Sequence, residues 1–165
     1  MKKIFLICLL LLGNVGFSDS INIDAIEVCK LNALIPPTEC GRVANMLVNN
    51  ESFREASEIY RNICFNFDFN KENDPAYAAF FCEKASELLK QIGNTDSANI
   101  CMVKDFLYKG DACLKANKSE YCAYVGYFLE TSSQKPEVAL PYYKKLCDLT
   151  GDCEPYQNLR RQLGK

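Results

Sequence analysis

The chain contains no histidine and no tryptophan. Because histidine serves as the base in Ser-His-Asp and Cys-His catalysis, its absence excludes both kinds of machinery. Histidine is also a frequent metal ligand, and no two cysteines stand in the C-x-x-C spacing that is typical of zinc sites. We therefore expect neither a metal ion nor another cofactor.

An excess of charge of one sign is also lacking. The chain has 19 lysines and arginines against 21 aspartates and glutamates, which gives a formal net charge of −2. A chain with this balance has no basic field that would attract nucleic acid. Beyond the N-terminus, no apolar run approaches the roughly 20 residues that a membrane span needs. We therefore expect no nucleic-acid partner and no membrane span.

The N-terminus has the three parts of a secretory signal peptide. Two lysines follow Met1, residues 4–12 are apolar apart from Cys8, and residues 13–20 are small and polar in character. We expect residues 1–20 to be the signal peptide, with cleavage after Ser18 or Ser20. Residues 21–165 then form one helical domain of about 145 residues, secreted or in the periplasm.

Ten cysteines are many for a chain of 165 residues. Cys8 lies in the predicted signal peptide, so nine remain in the mature domain. An exported chain meets an oxidising environment, where such cysteines form a disulfide framework. Because nine is an odd number, at least one thiol is unpaired or bonds to another chain.

The mature chain shows the periodicity of helices, without the sustained alternation of strands. Near the C-terminus, Gly151 is expected to end one helix in the left-handed conformation, and Asp152 is expected to cap the next. One face of the first of these helices carries Ala139, Tyr143, Leu146 and Cys147.

Similar signals divide the rest of the chain into helical hairpins. Thr38, Ser52 and Asp74 are expected to cap helices, the second of them in a capping box with Glu55. The expected helices cover residues 21–34, 38–48, 52–64, 74–93, 96 or 97 to 116, and 119–129, with two more from residue 136 onward. We expect Gly110 to weaken its helix enough to allow a bend, and Pro141 to kink or delay the helix that contains it.

Cysteines late in one helix alternate with cysteines early in the next, which indicates a repeated unit. We therefore expect an all-α fold, an α-solenoid of about four antiparallel helical hairpins stapled by disulfides. Cys101 is left over as an unpaired thiol. Cys82 lies deep in its helix, so Cys101 remains an alternative to it in the second pair. The expected pairs are Cys29 with Cys40, Cys64 with Cys82, Cys113 with Cys122, and Cys147 with Cys153.

Two segments resemble a known family. The sequence LPYYKKLC at residues 140–147, followed by GDCEPYQNL at 151–159, resembles the Sel1-like repeat, which is related to the tetratricopeptide repeat. The closest group is the secreted Helicobacter cysteine-rich proteins, in which each hairpin ends its first helix and opens its second with a cysteine. GDAC at 110–113 with EYCAYVG at 120–126 matches next best.

This resemblance implies a right-handed α-solenoid whose concave face binds a protein or peptide. It also implies the class commonly given to that group, penicillin-binding protein or β-lactamase. Ser132 and Lys135 do stand in the S-x-x-K spacing of serine β-lactamases. However, K-T-G is absent and the pair lies in a polar stretch before Pro136, so we assign no catalytic residue.

For several other residues the sequence does not decide between a packing role and a role in binding or dimer formation. Cys101 is expected either to be buried as a small apolar residue or to link two chains in a dimer. The aromatic residues of one helix spread around its axis, so we expect most of them in the core: Tyr121, Tyr124, Tyr127 and Phe128. Three further tyrosines either pack or line a binding groove: Tyr142, Tyr143 and Tyr156.

Three functions are consistent with these features. We favour an exported binding module that acts through a concave repeat surface on a protein or peptide. The second is the β-lactam-binding or β-lactam-hydrolysing protein that the resemblance implies. The third is a secreted effector that acts on host proteins, in the form of a dimer linked through Cys101.

Overall fold

A computed structural model describes residues 23–31, 36–66 and 74–164. Within these ranges the chain forms eight α-helices and one short 3₁₀-helix, and no strand. The predicted all-α class is therefore confirmed for this part of the chain. The predicted signal peptide of residues 1–20 lies outside the described residues.

The helices are numbered here in chain order, with η1 for the 3₁₀-helix. They are α1 (Ile23–Leu31), α2 (Pro37–Asn49), α3 (Phe53–Asn66), α4 (Pro75–Gln91), α5 (Thr95–Leu114), α6 (Ser119–Ser132), η1 (Pro136–Ala139), α7 (Leu140–Thr150) and α8 (Glu154–Gln162).

The helix starts follow local capping chemistry, with two corrections to the prediction. Asp74 caps α4 as expected, because its Oδ1 accepts a hydrogen bond from the Ala76 N–H at 3.0 Å. Thr38 does not cap α2, since the helix already begins at Pro37, where a proline fits the first turn. Helix α5 begins one residue before the earlier of the two predicted starts, because Asn94 accepts from the Ser97 N–H at 3.3 Å.

Gly110 does not interrupt α5, which runs from Thr95 to Leu114. The glycine instead makes room for Tyr142, whose hydroxyl would lie 3.2 Å from a Cβ at this position. Pro141 delays its helix as expected. The chain first forms η1, and α7 begins at Leu140 with the proline in its first turn.

In the turn between α7 and α8, Gly151 follows the prediction, whereas the N-cap of α8 is Cys153 and not Asp152. Gly151 has a φ of 80° and lies at the C-cap of α7, where its N–H donates to the Cys147 carbonyl at 2.9 Å. Asp152 Oδ1 accepts from the Glu154 N–H at 3.3 Å, which orients the first turn of α8. Both signals are local, so they hold whatever packs around them.

Three buried clusters form the core, and each contains one disulfide. The largest spans α1 to α4 with the first half of α5, and includes Tyr60 and Phe81. A small cluster joins α3 and α4 to Tyr108 of α5. The third lies between the end of α5 and α8, and includes Leu146 and Leu159. Burial is therefore spread along the chain and not gathered at one centre.

Most helices pack mainly against their neighbours in the chain, whereas α1 packs against α3 more than against α2. The odd-numbered helices also contact one another in series: α1 with α3, α3 with α5, and α5 with α7. Helix α5 has contacts with α3, α4, α6 and α7, so it lies in the middle of the described structure. None of the described helices combines the length and the apolar character that a membrane crossing requires.

Candidate functional site

The four disulfides each connect two helices that follow one another in the chain. Their pairing is the one given above from helix positions, and Cys101 takes no part in it. The bonds are Cys29–Cys40, Cys64–Cys82, Cys113–Cys122 and Cys147–Cys153. The first three are buried and the last is partly buried. Their role is structural, because an oxidised pair offers no thiol for chemistry.

Cys101 is the free cysteine of the described chain, and it is fully buried in the largest core cluster. Burial raises the pKa of its thiol, and the nearby charge of Arg61 offsets this only in part. The thiol is therefore a protonated, weak nucleophile at neutral pH. A disulfide to a second chain would require α5 to leave the core, so the geometry opposes the dimer that the sequence left open.

Ser132 and Lys135 do not form a catalytic pair in this structure. Ser132 is the last residue of α6 rather than part of a loop, and both side chains are exposed. Lys135 lies beyond the helix end with a φ of −128°, so it is not one helical turn from the serine. An S-x-x-K nucleophile needs that turn to bring lysine and serine together.

Helix α5 has two apolar faces, and only one of them is covered. Ala98, Cys101 and Ala112 are fully buried on one side. On the other side Ile100, Val103 and Leu107 are 54%, 58% and 62% exposed. Their i, i+3, i+7 spacing places them in one row. We call Ile100, Val103 and Leu107 the α5 stripe.

Two cations lie beside this stripe over the ring of Phe65, which is itself exposed. Arg61 Cζ of α3 is 5.7 Å from the ring centre, and Lys104 Nζ of α5 is 5.1 Å from it. Within the described ranges neither cation has a carboxylate within ion-pair distance. We call Arg61 and Lys104 the basic rim.

A cavity of about 370 Å³ opens next to the basic rim, between α1 and α3. Glu58 on its wall is paired with Lys30 at 2.9 Å. Its lining consists of Lys30, Glu58, Arg61, Asn62, Phe65 and Asn66. Glu27 and Glu55 also lie near Lys30. Among the described residues, the positive charge of this surface that has no ion-pair partner therefore comes from the basic rim.

A second polar cluster lies between α4, α5 and α6, with Asp105 and Lys109 buried and Glu83 and Tyr124 exposed. Lys109 Nζ lies 2.9 Å from Asp105 Oδ2, 3.2 Å from Glu83 Oε2 and 4.9 Å from the ring centre of Tyr124. Asp105 is 6% exposed, and its Oδ1 is the buried side-chain oxygen of the described residues without a hydrogen-bond partner.

The charges of this cluster favour a structural role. Burial raises the pKa of Asp105, and the Lys109 ammonium lowers it only in part. Burial lowers the pKa of Lys109, but hydrogen bonds and attraction from Asp105 and Glu83 outweigh it and leave the pKa raised. Lys109 therefore stays protonated and cannot act as a base. The cluster ties α4, α5 and α6 together.

The aromatic residues of α6 correct the prediction that most of them lie in the core. Tyr124, Tyr127 and Phe128 are exposed, and Phe128 packs at the surface against Phe106 at 4.9 Å between ring centres. The core side of α6 is instead formed by small residues, Cys122 and Gly126, together with Val125.

The tyrosines that were candidates for a groove pack against the C-terminal core. Tyr143 is buried over Gly126, and its hydroxyl donates to Glu130 Oε2 at 2.7 Å. Tyr142 covers Gly110, and Tyr156 is a partly buried neighbour of the same cluster. Of the two roles expected for these tyrosines, packing and lining a groove, the structure therefore shows packing.

Comparison of the chain with protein-family models, with curated proteins and with solved structures finds no match. The candidate site therefore rests on the described residues. It consists of the α5 stripe, Phe65 and the basic rim, which the sequence analysis did not assign. The available signal was the row of Ile100, Val103 and Leu107 on the side of α5 away from Cys101. An amphipathic helix has one apolar face, whereas α5 has two.

Proposed function

We propose that this is an exported, disulfide-rich helical-repeat protein that binds other proteins or peptides through the α5 stripe. The stripe is the observation that carries the proposal. Its three aliphatic side chains stay more than half exposed on a central helix. Contiguous apolar surface rimmed by polar residues is typical of interaction sites.

The helix contacts support the solenoid part of this proposal. Odd-numbered helices touch in series, and each even-numbered helix packs against the odd-numbered helix on either side of it or, for α8, against α7. Stacked antiparallel helix pairs have this contact pattern, and the inner helices of such a stack line a concave face. The stripe faces away from the buried side of α5, so in a Sel1-like or tetratricopeptide-like solenoid it would lie on that face.

The disulfides support a location outside the cytosol. Four bonds within one chain are typical of proteins in oxidising compartments and rare where thiols are kept reduced. Together with the N-terminal segment this supports a secreted or periplasmic protein.

The test is selection of peptides from a displayed random library on the mature protein, with its disulfides oxidised and confirmed by mass. Two stripe variants, Val103→Glu and Leu107→Glu, are compared with the wild type. Leu149→Glu on α7 is the matched control, because Leu149 is also an exposed leucine but lies far along the chain from the stripe. Binding of the selected peptides is then measured by titration.

We expect peptides selected on the wild type to bind Leu149→Glu equally and to lose about tenfold or more in affinity for both stripe variants. Peptides that bind all four proteins alike would contradict the proposal, as would a library that gives no enrichment.

A chromogenic cephalosporin and a labelled penicillin, with Ser132→Ala beside the wild type, test the β-lactam alternative that the resemblance implies.

A further inference from the structure

Building on the proposed function, we infer that the partner is a peptide segment in which carboxylate side chains stand next to apolar ones. The apolar side chains would pack on the α5 stripe, and the basic rim, Arg61 and Lys104, would bind the carboxylates. This names the chemical class of the partner.

The basic rim has the charge that an acidic partner requires. Arg61 and Lys104 come from two helices and converge on one exposed ring, at 5.7 Å and 5.1 Å from its centre. Within the described ranges, Glu58 is paired with Lys30 and Asp111 with Lys115, both at 2.9 Å, and Glu27 and Glu55 lie on the Lys30 side of the surface. A carboxylate placed over this ring would meet two cations that come from different helices.

Lys104 connects the charged and the apolar parts of the surface. It follows Ile100 by four residues and precedes Leu107 by three, so both are its neighbours on the helix surface. Its ammonium reaches toward Phe65 on α3. A partner with an apolar side chain on the stripe thus has its next residues within reach of Arg61 and Lys104.

An acidic peptide fits this surface better than another polyanion does. The formal net charge of the chain is −2, so there is no extended positive field for nucleic acid or for an anionic membrane. A row of aliphatic side chains also gives a phosphate backbone nothing to bind. Two cations beside apolar surface instead match a short segment with one or two acidic residues.

The test extends the library selection. The probes are the selected peptides, resynthesised with each Glu replaced by Gln and each Asp by Asn. The proteins are the wild type, the double variant R61E/K104E and the control Arg160→Glu. Arg160 is a matched control because it also lies over a ring, that of Tyr156 at 5.8 Å, but on α8. Circular dichroism and the mass of the oxidised protein check folding, and R61Q/K104Q replaces the double variant if it fails to fold.

We expect selected peptides to be enriched in Asp and Glu beside Leu, Ile, Val or Phe. Removing the acidic group should weaken binding to the wild type and to Arg160→Glu about tenfold, and higher ionic strength should weaken it further. R61E/K104E should bind the acidic peptides at least about tenfold more weakly and should prefer their neutral forms, because its carboxylates repel those of the peptide. R61Q/K104Q should not distinguish the two forms.

The outcomes separate this inference from the proposed function. If binding is lost in Val103→Glu but shows no acidic preference and no effect of R61E/K104E, the inference is wrong and the proposed function stands. If no peptide depends on the stripe, both are wrong. Stripe-dependent binding seen only with DNA, with anionic vesicles or with a second copy of this chain in sedimentation would also overturn the acidic-peptide partner.

Discussion

At the residue scale, two glycines set how closely the helices of the C-terminal half approach. A Cβ on Gly126 of α6 would lie 2.7 Å and 2.8 Å from ring atoms of Tyr143, a side chain that is buried and hydrogen-bonded. A Cβ on Gly110 of α5 would meet only the hydroxyl end of Tyr142, at 3.2 Å. The first ring has no room to move, whereas the second contact involves the far end of a side chain.

We predict that Gly126→Ala lowers the free energy of unfolding by about 1–3 kcal/mol, as overpacking of a core does. Gly110→Ala is the matched control. It should stay within about 1 kcal/mol of the wild type, since the helix gains about 0.5–1 kcal/mol from alanine against a small displacement of Tyr142. Urea unfolding of the oxidised proteins measures both, and equal effects would contradict the prediction.

Asp105 gives a second prediction at this scale. Burial raises the pKa of its carboxyl in the folded state. A carboxyl with a raised folded pKa stabilises the fold at low pH, and it loses that contribution as the pH rises through the folded pKa. The stability of the wild type relative to Asp105→Asn should therefore fall as the pH rises from about 3.9, the pKa of an unperturbed aspartate.

Urea unfolding of the wild type and Asp105→Asn at a series of pH values measures this difference. The asparagine keeps the shape of the side chain and does not titrate, so the other groups cancel in the comparison. A difference that stays constant, or that grows in favour of the wild type with rising pH, would show that the ion pair with Lys109 outweighs burial.

At the scale of the element, α5 carries both structure and the candidate site. Its covered face includes Cys101 and Ala112, which are fully buried, together with the ion pair of Asp105 and Lys109. Its opposite face is the α5 stripe. A substitution in α5 should therefore affect the stability of the fold on the covered face, and should affect binding on the exposed face.

We predict that Leu107→Glu changes the free energy of unfolding by no more than about 0.5 kcal/mol, because its side chain is exposed. Ala112→Glu, on the buried face of the same helix, should cost more than about 3 kcal/mol, since it places an unpaired charge in the core. Urea unfolding compares them. A large loss of stability in Leu107→Glu would mean that the stripe is part of the core and not a binding surface.

At the scale of the whole molecule, stability is distributed along the chain. The three core clusters each contain a disulfide, and neighbouring helices supply most contacts. In such an arrangement no central core holds every unit, so each crosslink stabilises its own helix pair. The bonds close segments of different length, with sequence separations of 11, 18, 9 and 6 residues.

We predict that removing the Cys64–Cys82 bond with paired alanines costs about 3 kcal/mol, and removing Cys147–Cys153 costs about 2 kcal/mol. The longer loop loses more freedom when it is closed in the unfolded chain. Cys64 and Cys82, which close the longer loop, are also fully buried, so replacing them with alanine leaves a cavity. Urea unfolding without reductant measures both, and the reverse order would contradict this account.

Local features of the sequence predicted much of the helical framework. Asp74 and Gly151 mark helix ends through groups a few residues away, so neighbouring helices do not alter them. Three of the disulfide pairs followed from cysteines near facing helix ends, because a short turn brings them together. Cys82 lies deeper in α4, and its pair was the one left open to competition from Cys101. Thr38 failed as a cap, since Pro36 and Pro37 already start the helix before it.

The candidate site could not be predicted in the same way. Periodicity shows that Ile100, Val103 and Leu107 share one face of a helix, but it does not show whether another helix covers that face. Tyr124, Tyr127 and Phe128 were expected in the core for the same reason, and they are exposed because no other helix of the described structure covers their side of α6 completely. Their burial depends on helices that come from other parts of the chain.

The sequence by itself determined most of the helices, three of the disulfide pairs and the absence of histidine chemistry, because these depend on residue types and on neighbours within a few positions. The structure decided that Cys64 pairs with Cys82 and not with Cys101. Only the tertiary structure decided that Cys101 is buried, which face of α5 is open, and that Arg61, Phe65 and Lys104 meet. These three residues lie on two helices about 40 residues apart in the chain. Contacts over such distances depend on how the helices pack, which no local pattern records.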